Sequence, residues 1–274
     1  MSGILYVTGT PIGNLSDMSP RAIQTLESVD FIAAEDTRVT MKLLNHFNIK
    51  KPMISYFEHN KRERGEIICK RIENGENCAI VTDAGMPCIS DPGEDLIKLC
   101  EERNIKTVVI PGPSAVISAL AVSGLETGRF TFEGFLSVNK KSRNEHLQSL
   151  KNERRTMIFY EAPHKLPATL RDLYSAFGNR RLSIAREITK IHEEVIRTTT
   201  EYAAENYTDG SIKGEIVLVL EGAKEDKNEE KYTLQDAVEI AKKLIEQGEK
   251  TTSAAKQAAE ICGCKKNEIY KELL

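Results

Sequence analysis

A chain of 274 residues, 40% hydrophobic and 29% charged, is long enough for two domains of ordinary size with real cores. No apolar run approaches the roughly 20 residues of a membrane-spanning helix, and a formal net charge of −3 argues against a uniformly basic nucleic-acid binder. The apolar stretch after Met1 has no basic region before it, so no secretory signal is expected. Of six cysteines only Cys262 and Cys264 lie close together, and no His/Cys cluster has zinc-ligand spacing. Reduced thiols in a cytoplasmic protein, and no metal, are expected.

In chain order, Ile4–Thr8, Phe31–Ala34, Cys78–Thr82 and Thr107–Ile110 are short apolar runs of the kind that form a buried, largely parallel sheet. Helical patterns lie between them. Ser19-Pro20 sets a capping residue before a helical proline, Asp91-Pro92 repeats the arrangement, and Pro113-Ser114 opens a small-residue helix through Ala115–Ser123. These signals predict an α/β domain over residues 1–125. A second α/β domain is expected over 126–222. Its strands are Phe130–Phe135, Thr156–Tyr160, Leu182–Arg186, Glu194–Thr199 and Glu215–Glu221, with helices near Ser142–Leu150 and Lys165–Phe177. The later strands follow one another directly, so this sheet reads as mixed. Residues 223–232 are polar and charged and read as a linker. Leu234–Gln247, Ser253–Cys262 and Lys266–Leu273 then predict a small helical bundle of helix-turn-helix layout over 233–274. Gly248 is expected to end its first helix, and Thr252 or Ser253 to cap its second.

Charge is unevenly spread. Between Lys140 and Lys190 there are twelve Lys/Arg against five Asp/Glu, and between Ile191 and Glu230 four against eleven. The first segment could present a basic face that includes Lys140, Lys141, Arg143, Arg154, Arg155, Arg180 and Arg181, although such runs are commonly no more than solvated surface.

Four Gly/Pro-bearing loops each follow a predicted strand, on the side where open α/β sheets place ligands. They are 10–15 (TPIGNL), 83–87 (DAGMP), 111–115 (PGPSA) and 161–164 (EAPH). The chain lacks a Gly-x-x-x-x-Gly-Lys-Ser/Thr loop, a Gly-x-Gly-x-x-Gly after the first strand and a Gly-x-Ser-x-Gly elbow. These absences disfavour P-loop nucleotidases, Rossmann dehydrogenases and α/β-hydrolases.

Six segments in this order, 34–38 (AEDTR), 56–60 (YFEHN), 83–87 (DAGMP), 111–115 (PGPSA), 160–164 (YEAPH) and 185–190 (AREITK), follow the opening LYVTGTPIGNL of 5–15. As a set they resemble the tetrapyrrole methylase superfamily, in its branch that methylates small-subunit ribosomal RNA. The resemblance covers nearly the whole chain. It implies two α/β domains with a cofactor cleft between them and S-adenosylmethionine as methyl donor. It further implies the 2′-oxygen of a cytidine in the decoding region of 16S ribosomal RNA as acceptor, inside the small ribosomal subunit, and a homodimer. Tetrapyrrole-modifying relatives usually carry Gly-x-Gly-x-Gly-Asp in the first loop, where this chain has Gly9-Thr10-Pro11-Ile12-Gly13-Asn14.

By that resemblance Pro11, Ile12, Gly13, Asp83, Ala84, Gly85, Met86, Ile89, Ser114, Ala115, Glu161, Ala162, Ala185 and Gly214 surround the cofactor. A ribose hydroxyl is a poor nucleophile and benefits from a base within hydrogen-bond reach. Asp36, Glu58 and Glu187 are the candidates, with Arg38 beside them, and each carboxylate has an equally ordinary capping or ion-pairing role. Lys140, Lys141, Arg143, Arg154, Arg155, Arg186 and Lys190 are the candidates for RNA phosphates. Two alternatives remain open at this stage: a precorrin-type C-methyltransferase and a non-catalytic RNA-binding assembly factor.

Overall fold

The computed structural model describes residues 2–208, 212–224 and 233–273. It divides into two compact units, Met1–Ala223 and Lys224–Leu274. Most of the expected linker, 225–232, lies outside the described residues.

The first sheet of the larger unit has strands β1 (Ile4–Thr8), β2 (Phe31–Ala34), β3 (Met53–Ser55), β4 (Cys78–Val81) and β5 (Lys106–Ile110), all parallel in the order β3-β2-β4-β1-β5. Side-chain alternation between two buried faces explains why the inner strands β2 and β4 are apolar throughout, whereas the edge strand β5 is largely exposed and begins with Lys106 and Thr107. Phe31, Ala33, Cys78 and Ile80 pack on one face with Ile68, Ile72 and Leu96 of helices α3 (Lys61–Glu73) and α4 (Glu94–Glu102). Ile32, Ala34, Ala79 and Val81 pack on the other with Ala22, Leu26 and Leu44 of α1 (Pro20–Ser28) and α2 (Thr37–His46). Ser19 caps α1 as expected, accepting from Ala22 N at 3.1 Å.

Two local expectations are corrected here. Asp91-Pro92 does not start a helix: α4 begins at Glu94 behind Gly93, whose φ of 144° no capping aspartate adopts readily. The sheet also has a fifth strand, β3, too short at three residues to show a period and held at the edge by pairing with β2.

The second sheet has strands β6 (Phe130–Phe135), β7 (Thr156–Glu161), β8 (Arg181–Arg186), β9 (Glu194–Thr199) and β10 (Ile216–Leu220), in the order β6-β7-β10-β8-β9. Only β6 and β7 are parallel, so the sheet is mixed as expected. Helices α6 (Lys140–Ser149), α7 (Leu166–Phe177) and α8 (Thr200–Asn206) lie with one of its cores. On the opposite face sits α5 (Ala115–Ser123), which leaves the first sheet at β5 and packs Val116, Ala119 and Leu120 against Ile158, Ala185, Val217 and Val219. Its small residues allow that close approach, and they tie the two sheets together through one helix.

The smaller unit packs α9 (Leu234–Glu246), α10 (Thr251–Cys262) and α11 (Lys266–Glu272) around Ala237, Ala241, Ala254, Ala255, Ala258 and Ile269. A capping box of Thr233 and Asp236 starts α9. Gly248, with φ 98°, follows its C-cap. Neither Thr252 nor Ser253 is the N-cap: α10 starts at Thr251, two residues before the expected Ser253, behind Lys250.

Candidate active site

Parallel strands end on one rim, and the loops after β1, β2, β4 and β5 meet there. Thr10 and Gly85 exchange backbone hydrogen bonds of 2.9 and 3.2 Å, and the Thr10 hydroxyl donates to Thr82 O at 3.1 Å. The loops after β1 and β5 touch through glycines: a Cβ on Gly9 would lie 2.7 Å from Gly112 Cα and equally close to Met86 Sδ. No side chain fits at that crossing. Ser114 caps α5 beside it.

A cavity of about 440 Å³ lies between this rim and the second sheet. From the first-sheet side it is lined by Ile12, Glu35, residues 82–86, 89–91, Ser114 and Ala115; from the other by Phe135, residues 160–163, Ile188 and 214–217. The volume and the mostly apolar wall with a few polar groups suit a small organic ligand. Tyr160 meets Phe132 edge-on at 5.0 Å and Phe135 at 5.4 Å between ring centroids.

The polar groups of the first-sheet wall are mainly acids. Glu35 accepts a 2.5 Å hydrogen bond from the Thr82 hydroxyl. Burial, reinforced by the charge of Glu35, pushes the Asp91 carboxyl up to about 6. Asp83 is also raised, chiefly by burial and then by the Glu35 and Asp36 charges, while the Asp36 N–H that donates to its Oδ1 at 3.1 Å opposes the shift. Carboxylates gathered without a matching cation favour a positively charged ligand.

Comparison with known proteins bears on that ligand. Residues 4–204 match the family described as tetrapyrrole (corrin/porphyrin) methylases. The chain belongs to that family. A protein of Synechocystis named ribosomal RNA small subunit methyltransferase I is 46% identical over 98% of this chain and 96% of its own length. One of the same name from Bacillus subtilis is 42% identical over 98% and 93%. A third, from Thermotoga maritima, is 47% identical over 220 residues, which cover 80% of this chain and 99% of that relative. Among solved structures, cobalt-precorrin-4 methyltransferase has a TM-score of 0.60 at 16% identity, covering 80% of this chain and 94% of that one. Diphthine synthase has 0.59 at 13% identity, covering 80% and 90%. These two carry the fold of the tetrapyrrole methylases and cover 80% of this chain; the family match ends at residue 204, ahead of helices α9–α11.

In this family member the expected cofactor residues Ile12, Asp83, Ala84, Gly85, Met86, Ile89, Ser114, Ala115, Glu161, Ala162 and Gly214 all line the cavity. Pro11 and Gly13 line a neighbouring one instead. Ala185 is fully buried under α5, because β8 turns that side chain into the core. Glu161 is buried, accepting from Ala162 N at 2.8 Å and from the Thr169 hydroxyl.

None of the three proton-transfer candidates, Asp36, Glu58 and Glu187, lines the cavity, nor does Arg38. Asp36 caps α2 and pairs with Arg38, whose guanidinium, hydrogen-bonded to it, holds its carboxyl down at about 2. Glu58 pairs with Lys61 at 2.7 Å, and Lys61 also reaches Asp95 at 2.6 Å. Glu187, at φ 50°, accepts from Glu215 N at 2.9 Å and Lys190 Nζ at 3.0 Å, and the first of these bonds lowers its pKa most. A Cβ on Gly214 (φ 92°) would lie 2.4 Å from the Glu187 side chain. Glu187 thus braces the backbone that forms the far wall.

The basic candidates are dispersed. Arg143 is only 11% exposed and bonds Asp172 and Thr169. Arg155 pairs with Glu153, and Arg186 with Glu194. Lys140 and Lys141 are exposed on α6. Lys190 bonds Glu187 and Glu215 at the neighbouring cavity. Sequence reasoning assigned no role to Glu35, Asp91, Phe135, Tyr160, Ile188 or Val217, all of which line the cavity. Glu35 follows β2 as Asp83 follows β4, so the strand-end rule could have found it. Asp91 was masked by its proline.

Proposed function

We propose that this chain transfers the methyl group of S-adenosylmethionine to the ribose 2′-oxygen of a cytidine in the decoding region of 16S ribosomal RNA. The observation that carries the reading is near-full-length similarity, at 46% and 42% identity, to proteins named ribosomal RNA small subunit methyltransferase I. Agreement of the cavity with the donor supports it. Apolar Ile12, Met86, Ile89, Ala115 and Ala162 suit the adenosine part, and Glu35, Asp83 and Asp91 suit the sulfonium and ammonium charges.

When bound, S-adenosylmethionine supplies a methyl carbon already activated by its sulfonium. The protein's part is to align, exclude water and move a proton. Asp83 is the group assigned to that proton. Asp36, Glu58 and Glu187 do not line the cavity and are committed to Arg38, to Lys61, and to Lys190 with Glu215 N, whereas Asp83 lines it and has one oxygen, Oδ2, with no hydrogen-bond partner among the described residues. Its raised pKa makes it a better acceptor than an ordinary surface aspartate.

The substrate is the 16S RNA within the small ribosomal subunit, and the setting is the cytoplasm. Among the described residues no helix is long and apolar enough to cross a membrane. Lys140 and Lys141, exposed on α6, serve as outlying phosphate contacts, with Arg154 and Arg155 beyond them. The protein works as a homodimer, in keeping with Val109 at 54% and Ile117 at 52% exposure on β5 and α5.

Labelled donor, incubated with small subunits from cells lacking this protein and in parallel with precorrins, tests the reading. Label at a single cytidine ribose is expected; label on the tetrapyrrole alone, or on neither, rejects it.

A further inference from the structure

Resting on that functional reading, we infer that a second cavity beside the donor site receives one unstacked nucleotide of the acceptor strand, with helix α2 carrying the strand's phosphates. The cavity measures about 330 Å³ and shares Ile12, Thr82, Asp83, Ala84 and Glu215 with the donor cavity. A group seated here therefore shares the Asp83 wall with the donor.

Its other walls have the chemistry of a base and its backbone. Pro11 and Leu15 from the first loop and Val39 and Leu43 from α2 line it, and Leu15 and Val39 are large apolar side chains left exposed among the described residues. A flat heterocycle covers such walls. Thr40, only 2% exposed, adds a buried hydroxyl with no hydrogen-bond partner among the described residues, which marks an unmet polar contact at the same wall. Lys42 stands at the lining and makes no ion pair among the described residues. Arg38, Lys42 and His46 recur every four residues and so share one face of α2, on which Arg38, paired with Asp36, and Lys42 stand one turn apart at a phosphate-like interval. The size admits a single nucleotide and no duplex, so the target must be flipped or single-stranded.

Full-length V39E and K42A proteins test the placement, using small subunits from cells lacking the enzyme. V39E is expected to raise the KM for subunits about tenfold or more. K42A should raise it several-fold and reduce the slope of log affinity against log salt by about one. Both should bind S-adenosylhomocysteine within about twofold of the parent by calorimetry. Unchanged KM and salt slope, or loss of S-adenosylhomocysteine affinity in step with KM, overturns the assignment. If V39E melts early, K42A on its exposed turn decides alone. Failure of the parent protein to methylate any subunit strikes the functional reading instead, and the variants' affinity for a single-stranded RNA oligonucleotide then decides the cavity.

Discussion

The two neighbouring cavities share a wall and differ in the balance of charge that lines them. The larger gathers Glu35, Asp83, Asp91, Glu161 and Glu215 with no Lys or Arg among its lining; the smaller sets Lys42 and Lys190 against Asp83 and Glu215 on otherwise mostly apolar walls. The acid-rich cavity suits a cationic donor, and the lysines of the smaller one suit the phosphates of an acceptor that shares the Asp83 wall with it. Electrostatics can sort two substrates in this way only if the loops hold their backbone still, and here they do so through glycine contacts and strand-end hydrogen bonds.

The sharpest way to break that contrast is Asp83→Asn, which removes the shared carboxylate. Steady-state turnover is expected to fall by about 10² to 10⁴, with little change in the KM for subunits. A mutant retaining a tenth of the activity would return the proton to another group. Next in size is Gly112→Ala. Its Cβ would lie 2.7 Å from Gly9 Cα, so denaturant unfolding should show a loss of about 1–3 kcal/mol and donor affinity should fall with it. Normal stability and binding would mean that the loops can part without consequence.

The acidic side can be sharpened by pH. With its carboxyl at about 6, Asp91 is neutral below that value and anionic above it. Affinity for S-adenosylmethionine should therefore rise several-fold from pH 5 to 7, less so for the product with its uncharged sulfur, and Asp91→Asn should flatten the curve. The sign for stability is opposite. The folded donor-free chain holds a proton that the unfolded chain gives up near pH 4, so this group's contribution is greatest at acid pH and is lost as pH rises through about 6. Calorimetric titrations across that range decide both. The smallest effect is expected from the double change of Arg154 and Arg155 to Glu. Arg155 is already paired with Glu153, so filter binding should show RNA affinity down only two- to fivefold and donor affinity intact. A larger loss would move the main RNA contact from α2 to this face.

Much of this was legible in the residues. Each run from Ile4 to Ile110 that alternates between two buried faces declared itself by unbroken apolarity, and Ser19 and Ser114 announced their helices. β3 and α8 were not legible, because three and seven residues carry too little period. In the site, the loop residues Ile12, 83–86, Ser114 and Ala115 could be read from strand-end position and family resemblance. Roles could not. Asp36 and Glu187 look like acids available for chemistry until their partners Arg38, Lys190 and Glu215 N are seen.

The sequence by itself determined the strands, the glycine- and proline-bearing loops and the family, since these depend on local pattern and on order along the chain. Tertiary structure decided which carboxylates are spent on ion pairs and which stand in the cavity. It also decided that α5 joins the sheets and that the wall of 160–163 and 214–217 faces the first-sheet loops. The physical reason is that burial and charge pairing arise between residues far apart in the chain, and those alone separate a brace from a base.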